Sequence, residues 1–184
     1  MLKAQSLIVG GSQPMARDVG HVRAFKLSSE ACPIPAAIQL IGERWTCLIL
    51  RGAMLGLCHF EEFQACLGIA RNILSDRLAR LVRADILART PDPHDRRKVI
   101  YALTERGAGL LPVLVAIRQW GLEAGLGKPS HPALADRRDR RPVAPLSVRA
   151  HDGRVLAMED LVWIGADGEE LAPPLPPLAK RDAA

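Results

Sequence analysis

Arg71, Asn72 and Ser75 stand close together in the chain, and a second polar group, His94 with Arg96, Arg97 and Lys98, follows after an intervening apolar stretch. Arginine bonds bidentately to guanine, asparagine does the same to adenine, and serine bonds to bases or phosphate. Placed at i, i+1 and i+4 of one helix, these three side chains suit the base edges of a duplex major groove, which a helix fits. A basic cluster on a neighbouring loop suits the phosphates or the adjacent minor groove, with His94 as a further phosphate or groove contact. Residues 69–107 hold nine basic and five acidic residues, the electrostatic footprint of an anionic partner. Arg80 joins Arg71 on the outer face, whereas Arg77 lies nearer Leu74 and Leu78, where it would support the helix or bind phosphate. A basic helix face alone is equally an ordinary solvated surface, so the order of the surrounding elements decides.

The cysteines offer other chemistry. Cys32 precedes Pro33 near the start of a helix, where unpaired backbone amides favour a reactive thiol, although a half-buried packing residue fits the same pattern. Cys47, beside Leu48 and Ile49, reads as core. Cys58, His59 and Cys66 hint at a metal, but no CxxC pair completes four ligands, so no metal site and no cofactor are expected. A phosphate-binding Gly-rich loop, a GxSxG elbow and an HExxH helix are all missing from the sequence, which argues against an enzyme.

The elements that must position these groups follow from periodicity. Ser28 or Ser29 is expected to cap a first helix with Ile34, Ile38 and Ile41 at i, i+4 and i+7, ended by Gly42. A second helix spans Glu43 to about Met54, and a third, about Phe60 to Leu67, carries the stripe Phe60, Phe63 and Leu67. Gly68 supplies a turn into a fourth, amphipathic helix from Ala70 to Ala84, whose apolar side holds Ile73, Leu74, Leu78, Leu81 and Val82. Ile86 to Thr90 and Lys98 to Leu103 form a hairpin around Pro91-Asp92-Pro93-His94-Asp95. Thr104 caps a last helix towards Leu122 that Pro112 kinks or divides. Two helices joined by a tight turn, the second with a polar outer face, followed by a basic-tipped hairpin, describe a winged helix-turn-helix. Trp120, Leu114 and Ile117 share a face that suits either monomer core or a dimer surface.

The chain has 184 residues with a formal net charge of +5, 48% hydrophobic and 24% charged residues, a composition that folds rather than stays disordered. The longest apolar run, residues 109–117, is too short for a bilayer span, and the four cysteines read as reduced thiols of a cytoplasmic protein. Eight of the fourteen prolines follow Gly127. The expected organisation is a flexible leader at 1–27, the helical domain at 28–126, a basic Pro-rich linker at 127–144, a small β unit at 145–172 around Asp152-Gly153 and Asp167-Gly168, and a Pro-rich tail at 173–184. The fold class is mainly α with a small β-hairpin, with a C-terminal β extension.

Several segments carry a family likeness. Cys32-Pro33-Ile34, Gly42-Glu43-Arg44-Trp45-Thr46-Cys47-Leu48-Ile49-Leu50-Arg51, Phe60-Glu61-Glu62-Phe63, Leu67-Gly68-Ile69 and Leu74-Ser75-Asp76-Arg77-Leu78 occur in order. They are followed by Asp92-Pro93-His94-Asp95-Arg96-Arg97, Tyr101-Ala102-Leu103-Thr104-Glu105-Arg106-Gly107, Leu111-Pro112-Val113 and Trp120. Together these cover about 90 of the 184 residues and resemble the HxlR-type winged helix-turn-helix transcriptional regulators, relatives of the MarR regulators. The resemblance implies a homodimer that binds double-stranded operator DNA and represses or activates nearby genes, with a repressor expected here. It implies that Arg71, Asn72 and Ser75 occupy recognition-helix positions and that Arg96, Arg97 and Lys98 sit in the wing. It also implies that the first and last helices, through Ile34, Ile38, Leu114, Ile117 and Trp120, build the dimer. Some members sense oxidants or electrophiles through a cysteine at the place of Cys32, so a small-molecule or oxidant effector is a further expected partner. A sensor or protein-interaction module without operator binding is the rival reading. Where such regulators carry a small polar cap before the recognition helix, this chain has Ala70, and where they carry Gly before the first wing strand it has Asp85.

Overall fold

The computed structural model describes residues 32–128, 133–165 and 167–170. The expected leader, Ser28, Ser29 and the Pro-rich tail lie outside the described residues. Among the described residues, contacts group those from Cys32 to Val155 into one unit and those from Leu156 onward into another.

The first unit opens with α1 (Pro33–Ile41), followed by α2 (Arg44–Met54), α3 (Phe60–Leu67) and α4 (Arg71–Arg83). The first helix is capped by Cys32, not by Ser28 or Ser29. Pro33 explains the shift: proline suits the first helical position, where no donor is needed, and holds the preceding residue extended, as Cys32 is at φ −90 and ψ 120. Next come β1 (Leu87–Pro91) and β2 (Val99–Leu103), antiparallel and in register from Leu87 opposite Leu103 to Pro91 opposite Val99. The expected last helix is two, α5 (Glu105–Ala108) and α6 (Leu111–Glu123). The break falls at Gly109 and Leu110, so that Pro112 enters the first turn of α6 instead of interrupting a longer helix.

Among the described residues nine make the buried core: Ile49 and Leu50 from α2, Phe63 from α3, Ile69 from the turn, Leu74, Leu78 and Leu81 from α4, and Ile86 and Leu87 at the base of the hairpin. Their spacing is the physical origin of the fold, since Leu74, Leu78 and Leu81 recur every three or four residues and can meet the core only if α4 lies across α2 and α3. Gly52 lets α3 approach, because a Cβ there would meet the Phe63 ring at 3.2 Å. After α4 the chain reverses through Asp85, which is left-handed at φ 57. Aspartate reaches that region more readily than most non-glycine residues.

Beyond α6, residues 133–155 hold two isolated bridges, Ala135 with Pro142 and Arg149 with Val155, the second closing around Asp152-Gly153. Gln119 of α6 fixes this stretch to the helix, donating to the Ala144 carbonyl at 3.3 Å and accepting the Leu146 N–H at 2.8 Å. In the second unit, Met158–Asp160 form a 3-10 turn and Ile164 bridges Glu170 around Asp167-Gly168. The turns expected of the C-terminal β extension are therefore present, but among the described residues the extension consists of single bridges, not strands. Pieces this short, interrupted by Pro142 and Pro145, cannot sustain a ladder without a third strand. Among the described residues no helix is long and apolar enough to cross a membrane.

Candidate nucleic-acid interface

α3 and α4 are joined by three residues. Gly68 closes α3 in the left-handed region at φ 60, Ile69 drops into the core, and α4 begins at Arg71 behind an N-cap, Ala70, whose side chain makes no capping bond. With Leu74, Leu78 and Leu81 buried, the helical period turns Arg71, Asn72 and Ser75 into solvent. Arg71 is held rather than loose: its guanidinium lies 4.8 Å from the centroid of the Phe60 ring, a cation–π contact from α3 that aims the first side chain of α4.

Arg77 and Arg80 belong to a different arrangement. Both meet Glu43, the residue capping α2, with Arg80 Nη1 at 3.1 Å from one carboxylate oxygen and Arg77 bonded to the other. Arg77 also pairs with Asp76 at 3.2 Å, and its side chain is only 17% exposed. Arg80 keeps 41% of its side chain exposed, so it faces solvent while tied to α2. The guanidinium pair fixes α4 to the scaffold beneath it. Because Glu43 makes no side-chain cap of its own, Glu43→Gln tests this tie alone. It should leave the half-buried Arg77 with only its exposed Asp76 partner and cost about 1–2 kcal/mol, discounted for the exposure of Glu43. Thermal unfolding followed by circular dichroism should show a midpoint lower by several degrees; an unchanged midpoint would mean that the tie contributes nothing.

The wing tip is organised by Asp92, which is buried at 8% exposure. Its Oδ1 accepts the His94 N–H at 2.7 Å and the Asp95 N–H at 3.3 Å, closing the turn between the strands. Its Oδ2 meets His59 Nε2 at 2.9 Å, which braces the wing against the start of α3. The His94 amide, then the His59 ring, hold the Asp92 carboxyl below the usual aspartate range. In return the bond to Asp92, followed by that to Glu62, raises His59. Glu62 reaches back from the first turn of α3, its Oε2 accepting the amides of Cys58 at 2.8 Å and His59 at 2.9 Å, and these draw its carboxyl down to about 2.

The basic residues of the tip differ among themselves. Arg97 folds back on Asp95, Nε to Oδ1 at 3.1 Å and Nη2 to Oδ2 at 3.4 Å, and this holds the Asp95 carboxyl low. Arg96, Lys98 and His94 are exposed, and among the described residues no ion pair is formed by any of the three.

Of the residues expected at a dimer contact, Ile34, Ile38, Ile117 and Trp120 are more than half exposed, Trp120 at 63%. Leu114 instead packs against the core, and with Leu48, Met54, Val115 and Ile117 it lines an apolar pocket of about 330 Å³ beside α2 and α6. Cys47 is on the wall of that cavity; its thiol donates to the Ile41 carbonyl at 3.2 Å, and burial pushes it up. Cys32 is a free, half-buried thiol at the cap of α1.

Sequence reasoning missed the roles of Glu43 and Asp92. The Asp-Pro-His-Asp run does signal a side-chain-capped turn, so the inner half of the Asp92 network was there to be found. Its bond to His59 spans 33 residues and carries no local signal.

Comparison with known proteins agrees with this fold. A family model described as HxlR-like helix-turn-helix matches residues 40–126. An uncharacterized HTH-type transcriptional regulator of Mycobacterium tuberculosis is 42% identical over 98 residues, which cover 53% of this chain and 61% of the relative. The chain thus spans about six-tenths of the length of that relative. The HTH-type transcriptional regulator YodB of Bacillus subtilis is 33% identical over 96 residues, covering 51% of this chain and 86% of the relative. Among solved structures, the crystal structure of PA1607, a proposed transcription factor, is similar with a TM-score of 0.69 and 41% identity. It covers 78% of this chain and 100% of that one, a wider match than residues 40–126 alone.

Proposed function

The chain belongs to the HxlR-like helix-turn-helix family of transcriptional regulators, and from that premise we propose that it is a sequence-specific repressor acting as a homodimer on a pseudo-palindromic operator. The observation that carries the reading is the pairing of an outward Arg71, Asn72 and Ser75 on α4 with a rigid, Asp92-braced wing presenting His94, Arg96, Arg97 and Lys98. The Phe60 contact gives Arg71 a fixed direction before DNA arrives, which lowers the ordering cost of a bidentate bond to guanine. Asn72 and Ser75 extend the readout along the same helix. The wing cations supply salt-dependent, sequence-independent affinity.

Two substitutions separate the roles. Arg71→Ala should lower the ratio of specific to random-duplex binding by about 1–3 kcal/mol, while affinity for random duplex changes little. Arg96→Ala should weaken both alike and flatten the salt slope by about 0.9 for each phosphate that is no longer neutralised. Arg97→Ala should act in the same direction but less, because Arg97 must leave Asp95 to reach a phosphate. Titration of each variant against an enriched site and a random duplex reads all three. Equal losses on both duplexes from Arg71→Ala would contradict its assignment to base reading.

The exposed apolar side chains of α1 and α6 support the homodimer, since Ile34, Ile38, Ile117 and Trp120 are each more than half exposed among the described residues. Two-fold pairing would place the recognition helices about 34–36 Å apart, one turn of DNA. A thiol-sensing reading is favoured by the place of Cys32 at the cap of α1, beside this same apolar face. Cys32→Ser tests it: DNA affinity equally insensitive to mild oxidant with and without the substitution would remove the thiol from the mechanism.

A further inference from the structure

Cys58, His59 and Glu62 place three ligand atoms of different chemistry within 4.8 Å of one another at the start of α3. His59 Nδ1 lies 3.3 Å from Cys58 Sγ and 3.3 Å from Glu62 Oε1. In a tetrahedral zinc site, bonds of about 2.3 Å to sulfur and about 2.0–2.1 Å to nitrogen and oxygen give ligand-to-ligand edges of about 3.3–3.6 Å. The two edges at Nδ1 already have that length.

Each ligand is also held from behind. Glu62 Oε2 is occupied by two backbone amides, which leaves Oε1 turned to the histidine. His59 Nε2 faces the Asp92 carboxylate at 2.9 Å, so that edge of the ring must carry a proton. An Nε2–H tautomer turns the Nδ1 lone pair towards Oε1 and within reach of the Cys58 thiol, and a cation placed there would meet all three ligand atoms. When no metal is bound, a proton on Nδ1 fills the role. The Cys58 carbonyl, in turn, accepts the Tyr101 N–H at 2.8 Å, which ties the cysteine to β2. A carboxylate on the outer nitrogen of a ligating histidine is the usual second layer of a zinc site, fixing tautomer and ring orientation.

We propose that Cys58 Sγ, His59 Nδ1 and Glu62 Oε1 bind a divalent cation of the zinc class, with Asp92 orienting the histidine and water completing the coordination. Sulfur, imidazole and carboxylate in a tetrahedral set select zinc over magnesium or calcium, which take oxygen ligands. On binding, Zn²⁺ takes the thiolate, the Nδ1 lone pair and the carboxylate. The thiol proton and any proton on Nδ1 leave to solvent, and no electron is transferred. The ion would join α3 to the wing turn through His59 and Asp92. Cys66, the partner that sequence spacing suggests, is exposed further along α3 and is not one of the three grouped ligands.

The test uses the full chain, stripped with chelator and titrated with Co²⁺ as a spectroscopic probe and with Zn²⁺ in competition. One ion per chain is expected, with a thiolate-to-cobalt charge-transfer band that Zn²⁺ abolishes. Cys58→Ser should remove the band, and His59→Ala should weaken binding at least about tenfold. Asp92→Asn should weaken it about 10–100-fold as an orienting residue. Since Asp92 also closes the wing turn, Cys58→Ser, which leaves that turn untouched, is the deciding variant. Cys66→Ser and Cys32→Ser should change nothing. A chain without the band, a band that survives Cys58→Ser, or one that disappears with Cys66→Ser would each overturn the site. None of these readouts depends on DNA, so the metal site and the operator reading stand or fall separately.

Discussion

Gly107→Ala is expected to destabilise the protein by at least about 3 kcal/mol. A Cβ at Gly107 would sit 2.1 Å from the backbone oxygen of Ile86 and 3.1 Å from a Leu103 methyl. Neither the carbonyl nor its strand can retreat. Ile86 is buried at 1% exposure, its oxygen accepts the Thr104 N–H at 3.2 Å, and the Thr104 hydroxyl donates to the neighbouring Asp85 carbonyl at 2.7 Å. The same hydroxyl accepts the Gly107 amide at 3.0 Å, so the cap of α5, the left-handed Asp85 and the root of β1 form one unit with room for a hydrogen only. Thermal unfolding should fall by about 6 °C or more. Gly121→Ala is the control: a methyl group there would have nothing within 4 Å, and a glycine in the body of α6 should be neutral or gain about 0.5–1 kcal/mol on becoming alanine. Similar midpoints for the two variants would contradict the close approach at Ile86.

The second large effect concerns assembly. Trp120 is 63% exposed, so Trp120→Glu removes little from the single-chain core while placing a charge in the apolar face it shares with Ile117. If that face joins two copies, sedimentation should show monomers where the unaltered protein is dimeric. Operator affinity should then fall by about 100-fold or more, because the second half-site is no longer bound at high effective concentration. Ile38→Glu should act similarly from α1. Unaltered protein that sediments as a monomer, or dimers that survive both substitutions, would rule out this face.

How much of this is legible in the sequence depends on whether the signal is local. The leucine period of α4, the glycine closing α3 and the alternation flanking the Asp-Pro-His-Asp turn are short-range patterns, and each element appears within a residue or two of its expected place. Two boundaries move because proline acts as a starter: Pro33 opens α1 in place of the expected cap at Ser28 or Ser29, and Pro112, expected to kink or divide a helix, lies in the first turn of α6. Leu114 shares a helix with Ile117 and Trp120, but which side of α6 meets α2 is a tertiary fact that periodicity does not assign. The C-terminal extension misleads for a related reason, since turn residues mark where a chain reverses without ensuring that the flanking residues pair. At the candidate interface, the direction of Arg71 depends on Phe60, the hold on Arg80 depends on Glu43, and the rigidity of the wing depends on His59. Each partner lies on a different element, so the sequence shows the outward side chains and conceals what aims them.

If this chain reads DNA sequence as a symmetric pair of recognition helices, the duplexes it selects must carry that symmetry. Enrichment of bound duplexes from a random pool, followed by titration of the enriched and random duplexes across a salt series, measures it most directly. The expected result is convergence on a pseudo-palindrome with half-site centres about 10 base pairs apart, a steep salt slope on both duplexes and at least about 10³-fold tighter binding to the enriched one. No convergence, with equal binding to both, would contradict sequence reading by this fold.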